Sequence, residues 1–408
     1  MLGRVLNTHQ QWLCRRLADL GYVVTRQVAV ADTGQDIEQA VREALGRANL
    51  VLTTGGLGPT SDDITRDLVA QLLGKKLHED AAALVNIEKS FTQRKRVMPV
   101  STRVQALVPD DALVLQNAHG TAPGLAMEVK PNCFRAEGKP SWLVMLPGPP
   151  RELRPMFDTQ VVPLLKRVLP LEDEFICRTV RTTGIGESLV QEKINAPLAP
   201  LVARGLDVGY CAHIGQVDVR LAARGAAGGA LVGEGEGIVR GLLTKHVFGG
   251  EDETLEAVVV QLLAERKQTL ALAESCTGGG IAHRLTNVPG ASAVLLVSLV
   301  TYSNAAKQKF LGVRGETLAE HGAVSEPTAR EMAEGARRET GADFAVSVTG
   351  IAGPTGGSEA KPVGTVFIGL ATGKRTTVLK QFNPYDRETF KQATANQALE
   401  MLRRAMLE

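Results

Sequence analysis

Short apolar runs that end in glycine-rich or polar loops, each followed by an amphipathic stretch, recur along most of this chain. Leu50 to Thr54, Trp142 to Leu146, Thr269 to Ala273, Ala293 to Val300 and Phe344 to Thr349 are such runs, and their length and flanks predict buried strands. Helices are predicted from about Ile64 to Leu73, from Ile281 to Leu285, and from the capped start Ser325-Glu326-Pro327 to Gly341. Strand, loop and helix in alternation predict α/β layers. The pattern changes in the middle of the chain. Phe175 to Thr182 and Val217 to Leu221 alternate like half-buried strands, Gly184-Ile185-Gly186-Glu187 opens a helix, and Gly225 to Gly237 reads as a flexible loop. The expected architecture is two three-layer αβα domains, 1–170 and 250–408, joined by a small α+β domain, 171–249.

The turn Glu274-Ser275-Cys276-Thr277-Gly278-Gly279-Gly280 joins a strand to a helix. Backbone N–H groups and the helix dipole gather there, so the turn can cradle a phosphate, seat a nucleophile, or do both. A second run ends at Tyr302-Ser303-Asn304 with Lys307 beyond it, and a third at Thr349-Gly350-Ile351-Ala352-Gly353-Pro354. Ligands collect at the carboxyl ends of parallel strands, so Ser275, Tyr302 and Lys307 can meet although they are far apart in sequence. A partly buried lysine can then serve as base to the serine hydroxyl. Equally, Lys307 can be a solvated helix residue and Tyr302 a core aromatic, and Cys276 rivals Ser275 as nucleophile. In the front half, Thr54, Gly55, Gly56 and Gly58 form a loop where backbone can approach a ligand. Asp62 and Asp63 follow, able to hold a hard cation or merely to cap the next helix. Two further loops carry Gly120, and Gly148 with Glu152.

From Glu251 onward the chain resembles the CinA C-terminal domain, the family that includes the PncC-type nicotinamide mononucleotide amidohydrolases. The resemblance rests on the turn at 274–280, Tyr302-Ser303-Asn304 with Lys307, Gly322-Ala323-Val324-Ser325-Glu326, Thr349 to Pro354, and Lys361-Pro362-Val363-Gly364-Thr365-Val366. It implies hydrolysis of the nicotinamide mononucleotide carboxamide to nicotinic acid mononucleotide and ammonia, with no cofactor. It also implies Ser275 as nucleophile, Lys307 as base and Tyr302 as third member. Thr277, Gly278, Gly279, Thr349, Gly350 and Gly353 would line the substrate pocket, and Arg387 would reach the phosphate. The front half resembles the molybdopterin-binding, MogA/MoeA-like domain of CinA proteins. That likeness implies a nucleotide site at Thr54, Gly55, Gly56, Gly58, Asp62, Asp63, Gly120, Gly148 and Glu152, with a divalent metal at Asp62 and Asp63 and ADP-ribose pyrophosphatase activity. Family members place an apolar strand and a Gly-Thr-Glu turn before the segment matching Leu2 to Thr8, so the front domain is expected to lack a central strand and to expose its neighbours' edges. The middle resembles the CinA connecting domain, compared to the KH fold. A nucleic-acid-binding KH module needs a Gly-x-x-Gly loop on a basic surface; no clear one is evident, and the segment reads as structural.

Composition narrows the partners. A net charge of +2 over 408 residues lacks the basic excess of a general nucleic-acid binder. No apolar stretch has the length of a membrane span, and five scattered cysteines without zinc spacing suit a reducing cytoplasm. The expected partner is a small nucleotide, and the expected assembly a homodimer. Three other roles stay open: the front domain's pyrophosphatase as the main activity, an adaptor in DNA uptake and recombination, and a domain that binds nucleotide without reacting.

Overall fold

The computed structural model describes residues 7–408. The segment matching the family's first motif lies almost wholly outside them. Contacts divide the chain into two compact units, the first ending at Glu172 and the second running from Asp173 to Glu408.

Six strands belong to the first unit: β1 (Leu50–Thr54), β2 (Leu77–Glu79), β3 (Leu107–Pro109), β4 (Leu113–Leu115), β5 (Gly124–Val129) and β6 (Ser141–Leu146). Four of them form a sheet in the order β1-β6-β5-β4, with β1 parallel to β6 and the other pairs antiparallel. From Trp142 onward β6 is apolar because it is covered on both faces. Leu143 and Met145 pack with Ile37, Val41 and Leu45 of one helix, whereas Val144 and Leu146 pack with Leu13, Leu17, Leu153 and Phe157 on the other side. This is the three-layer arrangement expected. β1 is the outer strand of the described sheet, and a cavity of about 810 Å³ beside it is lined by Leu50, Leu52 and Thr53 together with residues of the 22–30 segment.

The second unit holds two sheets. The smaller one, β7 (Phe175–Thr183), β8 (Asp207–His213), β9 (Gln216–Arg224) and β10 (Val247–Gly250), is antiparallel in the order β10-β7-β9-β8. The expected loop at 225–237 is instead mostly helix, Gly228–Leu242. Leu231, Val232, Gly235 and Val239 repeat at helical spacing and are buried, and packing of that face outweighs the poor helix propensity of six glycines. The tetrapeptide Gly225-Ala226-Ala227-Gly228 is in fact a Gly-x-x-Gly sequence; its Gly228 N–H closes the turn on the Gly225 carbonyl.

The larger sheet contains β11 (Leu270–Glu274), β12 (Leu295–Val300), β13 (Phe344–Gly350), β14 (Thr365–Ala371) and β15 (Thr376–Phe382) in the order β12-β11-β13-β14-β15. The first three are parallel, and β14 and β15 run antiparallel to their neighbours. Along β11, Leu270 and Leu272 face the cluster with Leu255, Val259, Leu399 and Leu402, while Ala271 and Ala273 face Met332, Ala333 and Ala336. Small residues on that second face let the helix Glu326–Thr340 approach closely. A Cβ at Gly369 would stand 2.7 Å from the Ala329 carbonyl oxygen, and one at Gly335 only 1.8 Å from that of Leu311. Among the described residues no helix is long and apolar enough to cross a membrane.

Candidate active site

Because β11, β12 and β13 are parallel, their carboxyl ends deliver Ser275, Thr301 and Thr349 to one edge of the sheet. Lys307 comes from the first turn of the helix Asn304–Leu311, whose start is fixed by the Ser303 hydroxyl accepting from Ala306 N–H at 3.1 Å. Its side chain turns back under β12 and is almost fully buried. Nζ lies 3.1 Å from Ser275 Oγ and donates to the carbonyls of Thr301 at 2.8 Å and Tyr302 at 3.1 Å. Burial pushes the Lys307 pKa down, because the charged amine has given up water, and the neighbouring Cys276 opposes that shift only in part. A lysine so placed can accept the proton of the neighbouring serine. The Thr301 hydroxyl beside it is buried without a hydrogen-bond partner among the described residues.

The turn that carries Ser275 is anchored by a residue that the sequence reading left unassigned. Glu274 is fully buried and accepts from the Thr277 hydroxyl at 2.7 Å, from the N–H groups of Ile281 at 3.1 Å and Ala282 at 2.9 Å, and from the Ser298 hydroxyl at 3.3 Å. The first-turn amides of the helix Gly280–Thr286 are therefore spent on a carboxylate of the chain itself, not free for a bound anion. Thr277 is turned inward and fully buried, and its hydroxyl supports Glu274. Gly278 and Gly279 have φ of +63° and +91°, which glycine adopts without the Cβ penalty. Cys276 packs into the apolar cluster on the far side, and burial pushes its thiol up to about 12. At neutral pH it is a protonated core residue, not a thiolate nucleophile.

Tyr302 divides its contributions. Its carbonyl holds Lys307, whereas its exposed ring points outward and its hydroxyl accepts from Arg387 Nη2 at 3.0 Å. Arg387 also donates through Nη1 to the Gly353 carbonyl at 2.8 Å, so the rim joins β12, the loop after β13 and the start of the helix Arg387–Leu407. Thr349 is buried and donates to the Ala323 carbonyl at 2.7 Å; it fixes the 322–325 loop. A Cβ on Gly350 would stand 2.9 Å from the Thr365 carbonyl oxygen, so glycine there serves the close approach to β14.

In the first unit the predicted loops also gather. Gly55 N–H donates to the Leu146 carbonyl at 2.9 Å, a Cβ on Gly148 would stand 3.7 Å from Gly55 Cα, and one on Gly120 would collide with the Glu152 carboxylate. Asn117 donates to Glu152 at 2.8 Å, and His9, missed in the sequence, lies against Gly148 with its pKa lowered by burial. Gly56 packs on Thr65 and Gly58 on Asp63, while Thr54 is exposed at the strand end. The metal expectation fits poorly. Asp63 accepts from Thr60 N–H at 3.0 Å, Asp62 is exposed, and among the described residues no three His, Cys, Asp or Glu side chains assemble a cation site.

Three family models match the chain: a probable molybdopterin binding domain over residues 1–167, the damage-inducible protein CinA KH domain over 177–249, and the CinA C-terminal domain over 252–406. A CinA-like protein of Akkermansia muciniphila is 43% identical over 98% of this chain and 93% of its own length. A putative competence-damage inducible protein of Moorella thermoacetica is 42% identical over 100% of this chain and 96% of its own. The solved competence/damage inducible protein CihA of Agrobacterium tumefaciens is 44% identical, covering 38% of this chain and 94% of that one, with a TM-score of 0.36.

Proposed function

The chain belongs to the CinA family, and we propose that its carboxy-terminal domain hydrolyses the carboxamide of nicotinamide mononucleotide to nicotinic acid mononucleotide and ammonia. The observation that carries this reading is the buried Lys307 amine, 3.1 Å from the Ser275 hydroxyl at the ends of adjacent parallel strands. Neutral Lys307 takes the hydroxyl proton as Ser275 Oγ bonds to the carboxamide carbon. The C–N bond breaks, Lys307 gives that proton to the departing ammonia, and an ester on Ser275 remains. Water, deprotonated by the same amine, opens the ester, frees the acid and restores Ser275. With the Ile281 and Ala282 amides occupied by Glu274 and the Gly278 amide by the Ser275 carbonyl, oxyanion stabilisation falls to the remaining N–H groups of the turn at 276–279. Arg387 at the rim supports a phosphorylated substrate.

Ammonia release from nicotinamide mononucleotide by the full chain, with the acid product identified by chromatography, tests the proposal; no release would end it. The gathering of Gly55, Gly120, Gly148 and Glu152 supports a second reading, pyrophosphate cleavage in the first unit. ADP-ribose hydrolysis that stops with chelator while ammonia release continues would separate the two.

A further inference from the structure

Lys391 follows Arg387 by one helical turn on the helix Arg387–Leu407 and is half-buried. A Cβ on Gly278 would stand 3.7 Å from its Nζ, so the amine lies over the turn that carries Ser275. Cations in the first turns of a helix oppose its dipole, and like charges four residues apart repel each other. Neither residue has an ion pair among the described residues. Arg387 is held by the neutral Gly353 carbonyl and Tyr302 hydroxyl, Asp386 is engaged in capping Glu388 and Thr389 N–H, and Glu388 faces Gln392. Two uncompensated cations therefore converge beside the nucleophile turn, at a helix start that favours negative charge. The other helix start at the site, Gly280–Thr286, is already neutralised by Glu274.

We infer that Lys391 is a second phosphate-binding residue, and that it and Arg387 hold the phosphate of a phosphoribosyl substrate from one face of the helix. The inference rests on the proposed deamidation for its substrate. Arg387, tethered by two hydrogen bonds, supplies a fixed fork, and Lys391 supplies a mobile point charge that closes on the dianion from the side of Gly278.

The test has two arms on the full chain. In the first, binding of ribose 5-phosphate is measured by titration calorimetry, which needs no turnover. Lys391→Met is expected to weaken it at least about tenfold, Lys391→Arg to restore most of it, and Lys374→Met, an exposed lysine in the β14–β15 turn, to leave it unchanged. In the second, Lys391→Met is expected to raise KM for nicotinamide mononucleotide about tenfold with little change in kcat, and to leave turnover of nicotinamide riboside, which has no phosphate, untouched. Equal ribose 5-phosphate affinity in wild type and Lys391→Met, or equal losses for mononucleotide and riboside, would overturn the assignment. A wild-type chain that binds ribose 5-phosphate through Lys391 but releases no ammonia would overturn the deamidase proposal and leave the phosphate site standing.

Discussion

Glu274→Gln changes one atom in a side chain that is fully buried and satisfies four donors. The amide has one oxygen where the carboxylate has two, so its NH2 must face either the Ala282 N–H and Ser298 hydroxyl or the Ile281 N–H and Thr277 hydroxyl. At least one backbone donor then loses its acceptor and meets another donor instead. Hydrogen bonds to a charged group contribute about 1.5–3 kcal/mol, and a buried donor left unsatisfied costs about 1–3 kcal/mol. A loss of about 3 kcal/mol follows, which for a unit of this size lowers the midpoint of unfolding by about 6–12 °C. The assay is calorimetry of the full chain, with the second unit's transition moving and the first unit's staying in place. Deamidation should fall as well, because the turn that aims Ser275 at Lys307 is held through Glu274. An unchanged melting profile would refute the view that this carboxylate, and not a bound anion, caps the helix Gly280–Thr286.

Burial lowers the Lys307 pKa, and only its neutral form accepts a proton, so kcat/KM should rise with pH along a limb lying below the 10.5 of a solvated lysine and then level off. Lys307→Arg, which stays charged, should lose about 10³-fold or more of the rate; a flat pH profile or an active arginine variant would exclude the base role. Arg387→Ala should raise KM for the mononucleotide more than it lowers kcat, and unchanged discrimination against the riboside would contradict its contact with phosphate. Gly335→Ala drives a methyl to 1.8 Å from the Leu311 carbonyl oxygen and should cost about 3 kcal/mol by denaturant unfolding; a neutral effect would mean that the two helices separate readily.

The strands that build the site are legible because each is a largely apolar run ending in a polar loop, even with Ser298 inside β12 and Ser347 inside β13. Their shared direction brings Ser275 and Lys307 together, one of the two arrangements that the residues left open. What sequence pattern does not carry is the direction of a side chain within a turn. Thr277 and Gly278 are neighbours, yet the first points into the core toward Glu274 and the second lies at the surface under Lys391. Glu274 itself closes an apolar run, and its role appears only once its donors come from both β12 and the helix beyond. The Gly228–Leu242 helix is hidden for a different reason: its glycines argue for loop locally, and only the packed sheet beneath decides for helix. The spacing of Arg387 and Lys391 was visible all along, but it acquires meaning only when the helix start is placed over the Ser275 turn.

The most direct test of the central claim is ammonia release from nicotinamide mononucleotide by Ser275→Ala and Cys276→Ala beside the wild type. Cys276 is buried with its thiol pushed up to about 12, and Ser275 has the lysine amine at 3.1 Å. Ser275→Ala should lose about 10³-fold or more with its melting profile intact, and Cys276→Ala should keep most of the rate. An active Ser275→Ala beside an inactive, folded Cys276→Ala would contradict the account.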